Sequence, residues 1–300
     1  MEEENKYRSG YVTIVGPPNA GKSTLLNYLM GEKLSIVSPR PQTTRFLVKG
    51  VLTFPEAQVI FVDTPGMQEA DKLRTPVERG WVIQALKFLE ETDVVMMIVE
   101  AHLPREEEQL LIERLNEVKK PVLLAINKID KLEKDRMERL IEEYKKVGNF
   151  SKIIPISAKK GTNIAILVGE IIFALPERPP IYPEDIRTDF PRELWIAELI
   201  REKIFQVTYQ EIPYATLVKV DSIEDKKKVV CIQAVVYTEE PSQKGIIIGK
   251  GANKLKEIGI RARKDLEKFF RKKVYLGLEV KVEKGWRRKG FLSKREETFV

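Results

Sequence analysis

Near the start of the chain, small residues, a lysine and a hydroxyl residue are combined in the pattern GxxxxGK(S/T), at Gly16-Pro17-Pro18-Asn19-Ala20-Gly21-Lys22-Ser23. Glycines let a backbone wrap closely around a phosphate group, so that several N–H groups point inwards. The pattern follows the strand-like run Tyr11–Val15 and opens a helical run, whose N-terminus adds partial positive charge. It therefore predicts a phosphate-binding loop in which Lys22 reaches the outer phosphates and Ser23 binds Mg²⁺. The predicted nucleotide contacts in this loop are Asn19, Ala20, Gly21, Lys22, Ser23 and Thr24.

A second motif, Asn127-Lys128-Ile129-Asp130, comes directly after the buried, strand-like run PVLLAI. In open α/β sheets, ligands bind where the strands reach their carboxyl ends. The Asp130 carboxylate can accept hydrogen bonds from N1–H and the 2-amino group of guanine, and adenine has no such donors there. A site that requires a hydrogen bond rejects a ligand lacking it by about 10⁴-fold or more. The motif therefore predicts guanine recognition by Asn127, Lys128 and Asp130. Ser157-Ala158-Lys159, which also follows a strand-like run, is predicted to close over the base through backbone N–H groups.

Two further segments have the composition to contact the outermost phosphate and its metal ion. Asp63-Thr64-Pro65-Gly66 follows the apolar run VIFV, which predicts Asp63 as a carboxylate behind the Mg²⁺ ligands and the Gly66 N–H as a γ-phosphate contact. The polar stretch Ser38–Arg45 contains two threonines, of which Thr44 is favoured over Thr43 as a Mg²⁺ ligand beside Ser23. The predicted catalytic residues are Lys22, Thr44 and Gly66.

The segments GPPNAGKST, PQTTR, DTPG, NKID and SAK, in this order over residues 16–159, resemble the TrmE-Era branch of translation-factor-type GTPases, and the Era family most closely. The resemblance implies hydrolysis of GTP to GDP and phosphate with Mg²⁺. It places Met67 where Ras-type enzymes have a water-orienting glutamine, and because a thioether cannot orient water, we expect slow intrinsic hydrolysis. Asn19 matches an asparagine that ligates K⁺ in relatives, so potassium dependence is a further expectation.

Short apolar runs alternate with segments of helical spacing through the first half of the chain. This alternation predicts a three-layer α/β domain with a mostly parallel sheet, and the resemblance implies that it is a P-loop GTPase domain. The segment 46–62 has no helix between its two strands, so we expect one antiparallel hairpin. The predicted strands are Tyr11–Val15, Phe46–Phe54, Gln58–Val62, Val94–Val99, Val122–Ile126 and Ile153–Ile156. The predicted helices lie near 22–30, 75–90, 106–118, 134–147 and 162–174.

The length of 300 residues favours two domains, and charge is divided unevenly between the two parts. Residues 1–180 hold 26 basic and 26 acidic side chains, whereas 181–300 hold 26 basic and 19 acidic ones and so carry the whole net charge of +7. Prolines cluster near 176–191, where apolar periodicity stops, as is typical of a linker. We therefore predict a GTPase domain over 1–176, a linker over 177–191, and a second domain over 192–300 that meets a polyanion.

The basic domain contains the run IIIGKGANKL, and its predicted order is helix, two strands, GxxG loop, helix and strand. This order resembles the type II KH module, a small α+β fold whose GxxG loop clamps a single-stranded RNA backbone. The fourth loop position is Ala252 instead of glycine. Alanine is expected to remove access to positive φ there, but it keeps the loop slim enough for a phosphate to approach. The predicted RNA contacts in and beside the loop are Ile247, Ile248, Gly249, Lys250, Gly251, Ala252, Lys254 and Arg261. Basic residues around Trp286 are expected to add a second contact surface.

The resemblance to the Era family implies a target and a location. The target is the 3′ region of 16S ribosomal RNA during small-subunit assembly, and the family's membrane association adds a contact at the inner face of the cell membrane. We expect Ser38–Arg45 and Met67–Glu78 to order around the γ-phosphate and to reposition the two domains. A polar N-terminus and the lack of an apolar run of about 20 residues favour a cytoplasmic protein. We expect a monomer.

Composition excludes several other chemistries. The chain has one cysteine and one histidine, which excludes a disulfide framework and Cys/His zinc sites and disfavours Ser/His/Asp or Cys/His hydrolysis. Three alternatives stay open: an RNA-binding assembly factor with a vestigial nucleotide site, a metabolic P-loop kinase, and a peripheral membrane GTPase held by its basic tail. The intact nucleotide motifs argue against the first, and NKID argues against the second.

Overall fold

The computed structural model describes residues 7–37, 46–64 and 88–286. The chain divides into two compact units, the first extending to Asp189 and the second beginning at Phe190. Each unit has its own sheet. Within the described ranges, no helix combines the length and the hydropathy needed to cross a membrane.

The first unit is built on a six-stranded sheet. Its strands are β1 (Arg8–Val15), β2 (Val48–Thr53), β3 (Ala57–Asp63), β4 (Val94–Glu100), β5 (Val122–Asn127) and β6 (Lys152–Pro155). They lie in the order β2-β3-β1-β4-β5-β6, with β2 antiparallel to β3 and all other neighbours parallel. The predicted mostly parallel sheet and the antiparallel hairpin over 46–62 are both confirmed.

Helices accompany this sheet as the alternating pattern predicts. The described helices of the first unit are α1 (Lys22–Met30), α2 (Glu106–Asn116), α3 (Met137–Val147) and α4 (Ile164–Ala174). Every residue of β3 and all but the last residue of β4 are buried, as expected for strands covered on both faces. The predicted helix near 75–90 lies outside the described residues, apart from its last turn at 88–90.

The second unit is a three-stranded sheet with three helices in its described part. Its elements are α5 (Arg192–Val207), β7 (Thr216–Asp225), β8 (Val229–Thr238), α6 (Pro241–Ile248), α7 (Asn253–Phe270) and β9 (Lys273–Val282). Strand β8 is central, antiparallel to β7 and parallel to β9. Helix α6 is missing from the sequence-based prediction because its three consecutive isoleucines hide any helical period. It begins with Pro241 in the first turn and a reciprocal capping box between Glu240 and Gln243.

Residues 177–189, which we call the strap, make up most of the predicted linker and lie against the first unit. The buried Gln58 side chain accepts hydrogen bonds from the backbone N–H groups of Ile181 and Tyr182, at 2.8 and 2.9 Å. Arg178 donates to the Asp93 carboxylate, which also accepts from the N–H of Tyr11. Most of the predicted linker is therefore anchored on the first unit, and the domain bounds 1–176 and 192–300 stay a prediction.

Candidate functional site

The predicted phosphate loop connects β1 to α1 and packs closely against the carboxyl ends of β4 and β5. Gly16 has φ +153°, and a Cβ atom there would lie 2.1 Å from the Ile98 carbonyl oxygen. Gly21 has φ +110°, and a Cβ atom there would lie 2.2 Å from Nδ2 of Asn127. Both glycines are therefore required by close approach as well as by backbone conformation. Asn19, between them, has a left-handed backbone with φ +63° and an exposed side chain.

Lys22 is buried and folds back over this loop. Its ammonium group donates hydrogen bonds to the carbonyl oxygens of Gly16, at 2.8 Å, and Pro17, at 3.0 Å. Burial lowers the pKa of Lys22 to about 8, and the nearby Asp63 carboxylate opposes that shift. A bound phosphate would supply the negative charge that stabilises the protonated amine, so the loop is electrostatically suited to an anion.

Asp63 ends β3 and is fully buried beside the loop. Its Oδ2 atom accepts hydrogen bonds from Ser23 Oγ at 2.7 Å and from Ser35 Oγ at 2.8 Å. Burial raises the pKa of Asp63, and the hydrogen bonds from the two serines and the charge of Lys22 oppose that rise. The other oxygen, Oδ1, accepts no hydrogen bond from the described residues. A buried carboxylate oxygen without a donor, next to a serine hydroxyl, is a donor set that fits a hard cation or its water ligand.

The predicted base-binding residues lie at the carboxyl ends of β5 and β6. The Asn127 side chain joins two loops: its Nδ2 donates to the Ala20 carbonyl oxygen at 2.8 Å, and its Oδ1 accepts from the Ala158 N–H at 2.9 Å. Ser157 Oγ donates to Asp130 Oδ1 at 2.6 Å. This hydrogen bond, ahead of the opposing effect of desolvation, lowers the pKa of the exposed Asp130 carboxyl. Asp130 is therefore an ionised, oriented acceptor that faces solvent, and Lys159, two residues after Ser157, is also exposed.

Lys128 has a partner that the motifs did not reveal. Its backbone is left-handed, with φ +67°, and its ammonium group lies 2.9 Å from Oε2 of Glu100, the last residue of β4. Desolvation acts to raise the pKa of Glu100, but the hydrogen bond from Lys128 and its charge outweigh that effect, so the pKa is lowered. Glu100 pairs in register with Asn127, which placed it beside the motif in space. The sequence signal that could have identified Glu100 is a charged residue at the end of a buried strand.

Several predicted residues lie outside the described ranges. They are Pro65, Gly66, the two segments predicted to order around the γ-phosphate (Ser38–Arg45, with Thr43 and Thr44, and Met67–Glu78), and the basic tail beyond Trp286. Among the other predicted nucleotide contacts, the structure brings the phosphate loop, Asp63, Asn127 and Ala158 into one connected group.

The predicted RNA loop connects α6 to α7 in the second unit. Gly249, Gly251 and Ala252 all have positive φ, at +72°, +61° and +60°. The expectation that alanine removes this conformation is therefore wrong: Ala252 adopts the left-handed conformation at a cost of about 1–2 kcal/mol relative to an ordinary backbone. A Cβ atom at Gly249 would lie 2.9 Å from Cγ of Lys254, whereas Gly251 has open space around it. The loop is slim and exposed, as close approach to a phosphate requires.

The structure also corrects which isoleucine faces outwards. Ile247 is fully buried and belongs to the core, so it does not line a surface groove as predicted. Ile246, which was not predicted, is 41% exposed, and Ile248 is half-buried. Lys250 is exposed, whereas Arg261 is held by Glu257 at 2.5 Å, so an RNA contact by Arg261 would compete with that ion pair.

A phosphate loop, a guanine-type motif and a buried carboxylate at one sheet edge, followed by a GxxG-type loop in an α+β unit, define a P-loop GTPase with a KH domain. Two family models agree with this class: one described as 50S ribosome-binding GTPase matches residues 11–128, and a KH domain model matches residues 211–287. GTPase Era from Carboxydothermus hydrogenoformans is 46% identical over 286 residues, covering 94% of this chain and 95% of that protein. GTPase Era from Halothermothrix orenii is 43% identical over 291 residues, covering 96% and 98%. This chain belongs to the Era family of GTPases, enzymes that hydrolyse GTP.

Solved structures give the same result for the fold. Era from Aquifex aeolicus, solved as a variant bound to GDP and aluminium fluoride, has a TM-score of 0.88 and 42% identity, covering 94% of this chain and 96% of that one. An Era structure with MgGDPNP and nucleotides 1506–1542 of 16S ribosomal RNA has the same TM-score, identity and coverage. The predicted fold class and the resemblance to the Era family are confirmed.

Proposed function

We propose that this GTPase binds the 3′ region of 16S ribosomal RNA through its KH domain and acts in assembly of the small ribosomal subunit. The observation that carries the proposal is the loop Gly249–Ala252, which is exposed, has positive φ at three positions and precedes the basic helix α7. Small residues there allow a phosphate to approach the backbone, and neighbouring lysines supply charge. The Era structure that contains a 16S ribosomal RNA fragment supports the choice of RNA.

In the proposed nucleotide site, the backbone N–H groups of residues 19–24 and the Lys22 ammonium hold the phosphates. Asn127 holds the phosphate loop and the 157–159 loop at a fixed separation through its two side-chain hydrogen bonds. Asp130 receives the N1–H and 2-amino donors of guanine, and Lys128 together with Lys159 completes the base pocket. The hydrolytic roles of Thr44 and Gly66 follow from their motifs.

The same proposal includes a Mg²⁺ ion held by Ser23 and Thr44, with Asp63 behind them. The Asp63 oxygen that lacks a donor supports this assignment, because a metal-bound water would satisfy it. When bound, Mg²⁺ neutralises charge that develops on the phosphate oxygens. We also propose K⁺ at Asn19, whose side-chain amide oxygen is exposed beside the phosphate loop and is of a type that coordinates hard cations. Equal hydrolysis rates in Na⁺ and K⁺ would remove the potassium part.

Fluorescence anisotropy with a labelled 16S 3′-end oligonucleotide tests the RNA assignment. We expect tighter binding than to a scrambled sequence, and tighter binding with a non-hydrolysable GTP analogue than with GDP. If about five phosphates are contacted, log K should fall with log salt at a slope near −3.5. Equal affinity for both oligonucleotides, or a flat salt response, would contradict the proposal.

The description of the matching family model, 50S ribosome-binding GTPase, favours the large subunit as a second candidate target. Co-sedimentation with purified 30S and 50S particles separates the two. Pelleting with 50S alone would move the target to the large subunit. Pelleting with 30S particles would support the proposed target.

Contact with the inner face of the cell membrane is part of the proposal through the basic second domain. Vesicles with anionic lipid test it, with and without the oligonucleotide as competitor. Binding that RNA displaces would mean that the lipid and the RNA share one cationic surface. Size-exclusion chromatography with light scattering tests the proposed monomer.

A further inference from the structure

The last three residues of the strap, Arg187, Thr188 and Asp189, hold two separate elements of the first unit, and we call them the clasp. On the α1 side, the Arg187 guanidinium donates a hydrogen bond to the carbonyl oxygen of Met30, the last residue of α1. Its Nε atom lies 3.5 Å from Oε1 of Glu32, just beyond the helix. The clasp therefore binds the C-terminal end of α1, the helix that begins in the phosphate loop.

On its other side, the clasp is bound along β2, the strand at the edge of the sheet. The Val51 N–H donates to the Arg187 carbonyl oxygen at 2.8 Å, and Thr188 Oγ1 donates to the Lys49 carbonyl oxygen at 2.6 Å. The Lys49 ammonium lies 3.0 Å from Asp189 Oδ2. The clasp thus adds main-chain and side-chain bonds to an edge that the sheet leaves unpaired.

In sequence, these two attachment points lie on either side of the stretch that is predicted to order around the γ-phosphate. Met30 and Glu32 precede the stretch 38–45, and Lys49 follows it. Within α1, Asn27 accepts hydrogen bonds from the N–H groups of Leu34 and Ser35, and Ser35 Oγ donates to the Asp63 carboxylate. The described contacts therefore form a continuous path from Asp63 through Ser35 and α1 to Arg187.

We propose that the clasp transmits the nucleotide state of the first unit to the RNA affinity of the second, which begins one residue later at Phe190. The inference rests on the proposed function, because it names how the GTP site regulates the RNA site. Any nucleotide-dependent shift of the α1 terminus relative to β2 must stretch or exchange the clasp contacts, since Arg187 is bound to both. Coupling is reciprocal, so RNA changes the affinity for the GTP analogue relative to that for GDP by the same factor.

Arg187→Ala tests the proposal, and Glu32→Gln tests it without altering the strap. Arg187 and Glu32 are partly exposed, at 55% and 35%, so loss of their contact is not expected to unfold the protein. Arg136→Ala is the matched control, because Arg136 forms a similar exposed pair with Glu133 in the same unit. The measured quantity is the ratio of RNA affinities with a non-hydrolysable GTP analogue and with GDP.

Coupling between sites commonly changes affinity by about 5- to 150-fold. We expect a wild-type ratio in that range, a ratio below about twofold in Arg187→Ala, a smaller ratio in Glu32→Gln, and the wild-type ratio in Arg136→Ala. GDP affinity, and RNA affinity in the GDP state, should be unchanged in all variants. Amide hydrogen exchange at Val51 gives a direct readout, with protection that differs between the two nucleotides in the wild type and no longer differs in Arg187→Ala.

A wild-type ratio that survives in Arg187→Ala and Glu32→Gln would overturn the clasp. So would a ratio of one in a wild-type protein that binds both ligands tightly, because there would be no coupling to transmit. If the wild type binds no RNA, the proposed function fails, and Val51 exchange still decides the clasp: identical protection with both nucleotides overturns it.

Discussion

The side-chain amide of Asn127 donates a hydrogen bond to the carbonyl oxygen of Ala20, 107 positions earlier in the chain, and accepts one from the N–H of Ala158. One buried side chain thus joins the phosphate loop to the loop predicted to cover the base. The distance between the phosphate site and the base site is set by this amide.

Asn127→Ala should therefore weaken GDP binding by about 10- to 100-fold, because it leaves the Ala20 carbonyl and the Ala158 N–H buried without partners. Isothermal titration calorimetry with GDP measures the loss. Asn116→Ala is the control, since the Asn116 side chain accepts a hydrogen bond from the Asn149 N–H away from the phosphate loop. Equal effects of the two substitutions would contradict the bridging role.

Asp130→Asn should exchange guanine preference for xanthine preference. Xanthine carries a carbonyl where guanine carries the 2-amino group, so an amide donor becomes complementary to it. We expect GDP affinity to fall by about 10³-fold or more and xanthosine diphosphate affinity to rise. Asp135→Asn, at an exposed position outside the motif, should leave both affinities unchanged. A variant that still prefers GDP would rule out Asp130 as the base acceptor.

The affinity for GDP should depend on pH through Lys22. Its pKa in the nucleotide-free protein is lowered to about 8, and phosphates bind the protonated form. Affinity should thus be level below about pH 8 and should fall by up to tenfold per pH unit above it, until the pKa of the bound state is reached. Titrations from about pH 7, stopping before guanine N1 loses its proton, measure the change. Constant affinity across that range would mean that the free lysine keeps its ordinary pKa.

Ala252→Gly should stabilise the KH domain. Ala252 has φ +60°, and glycine removes the strain of that backbone at some cost in chain entropy, with a net gain of about 1 kcal/mol. Thermal unfolding of the full chain, monitored through the transition of the second unit, measures this change in stability. Ala262→Gly, inside α7 where alanine is buried and helical, should have the opposite sign. A fall in stability for Ala252→Gly would show that the alanine methyl group contributes packing that outweighs the strain.

Motifs with fixed spacing made most of the nucleotide site predictable. Lys22, Ser23, Asp63 and Asn127 were found because each lies at or after the end of a buried strand at a known offset, and the sheet then brings the strand ends together. Glu100 and Ser35 could not be found in this way. Each is a single common residue whose role depends on a contact across the sheet edge or between loops.

The second unit shows a different limit. The glycines predicted the GxxG loop, but the backbone of Ala252 is set by the geometry of the turn between α6 and α7 and not by its own preference. Likewise, the proline-rich stretch predicted a linker, yet its anchoring depends on Gln58 and Asp93, more than 80 positions away. Local patterns do not report such long-range partners.

The strap has a practical consequence for work with the isolated GTPase domain. Strand β2 ends its sheet, and an uncovered edge strand is a template for pairing with another molecule. A fragment cut at residue 176 would lose the bonds to Val51 and Lys49 and expose that edge, whereas one cut after Asp189 would keep it covered. The shorter fragment should self-associate and precipitate on concentration, and the longer one should stay monodisperse.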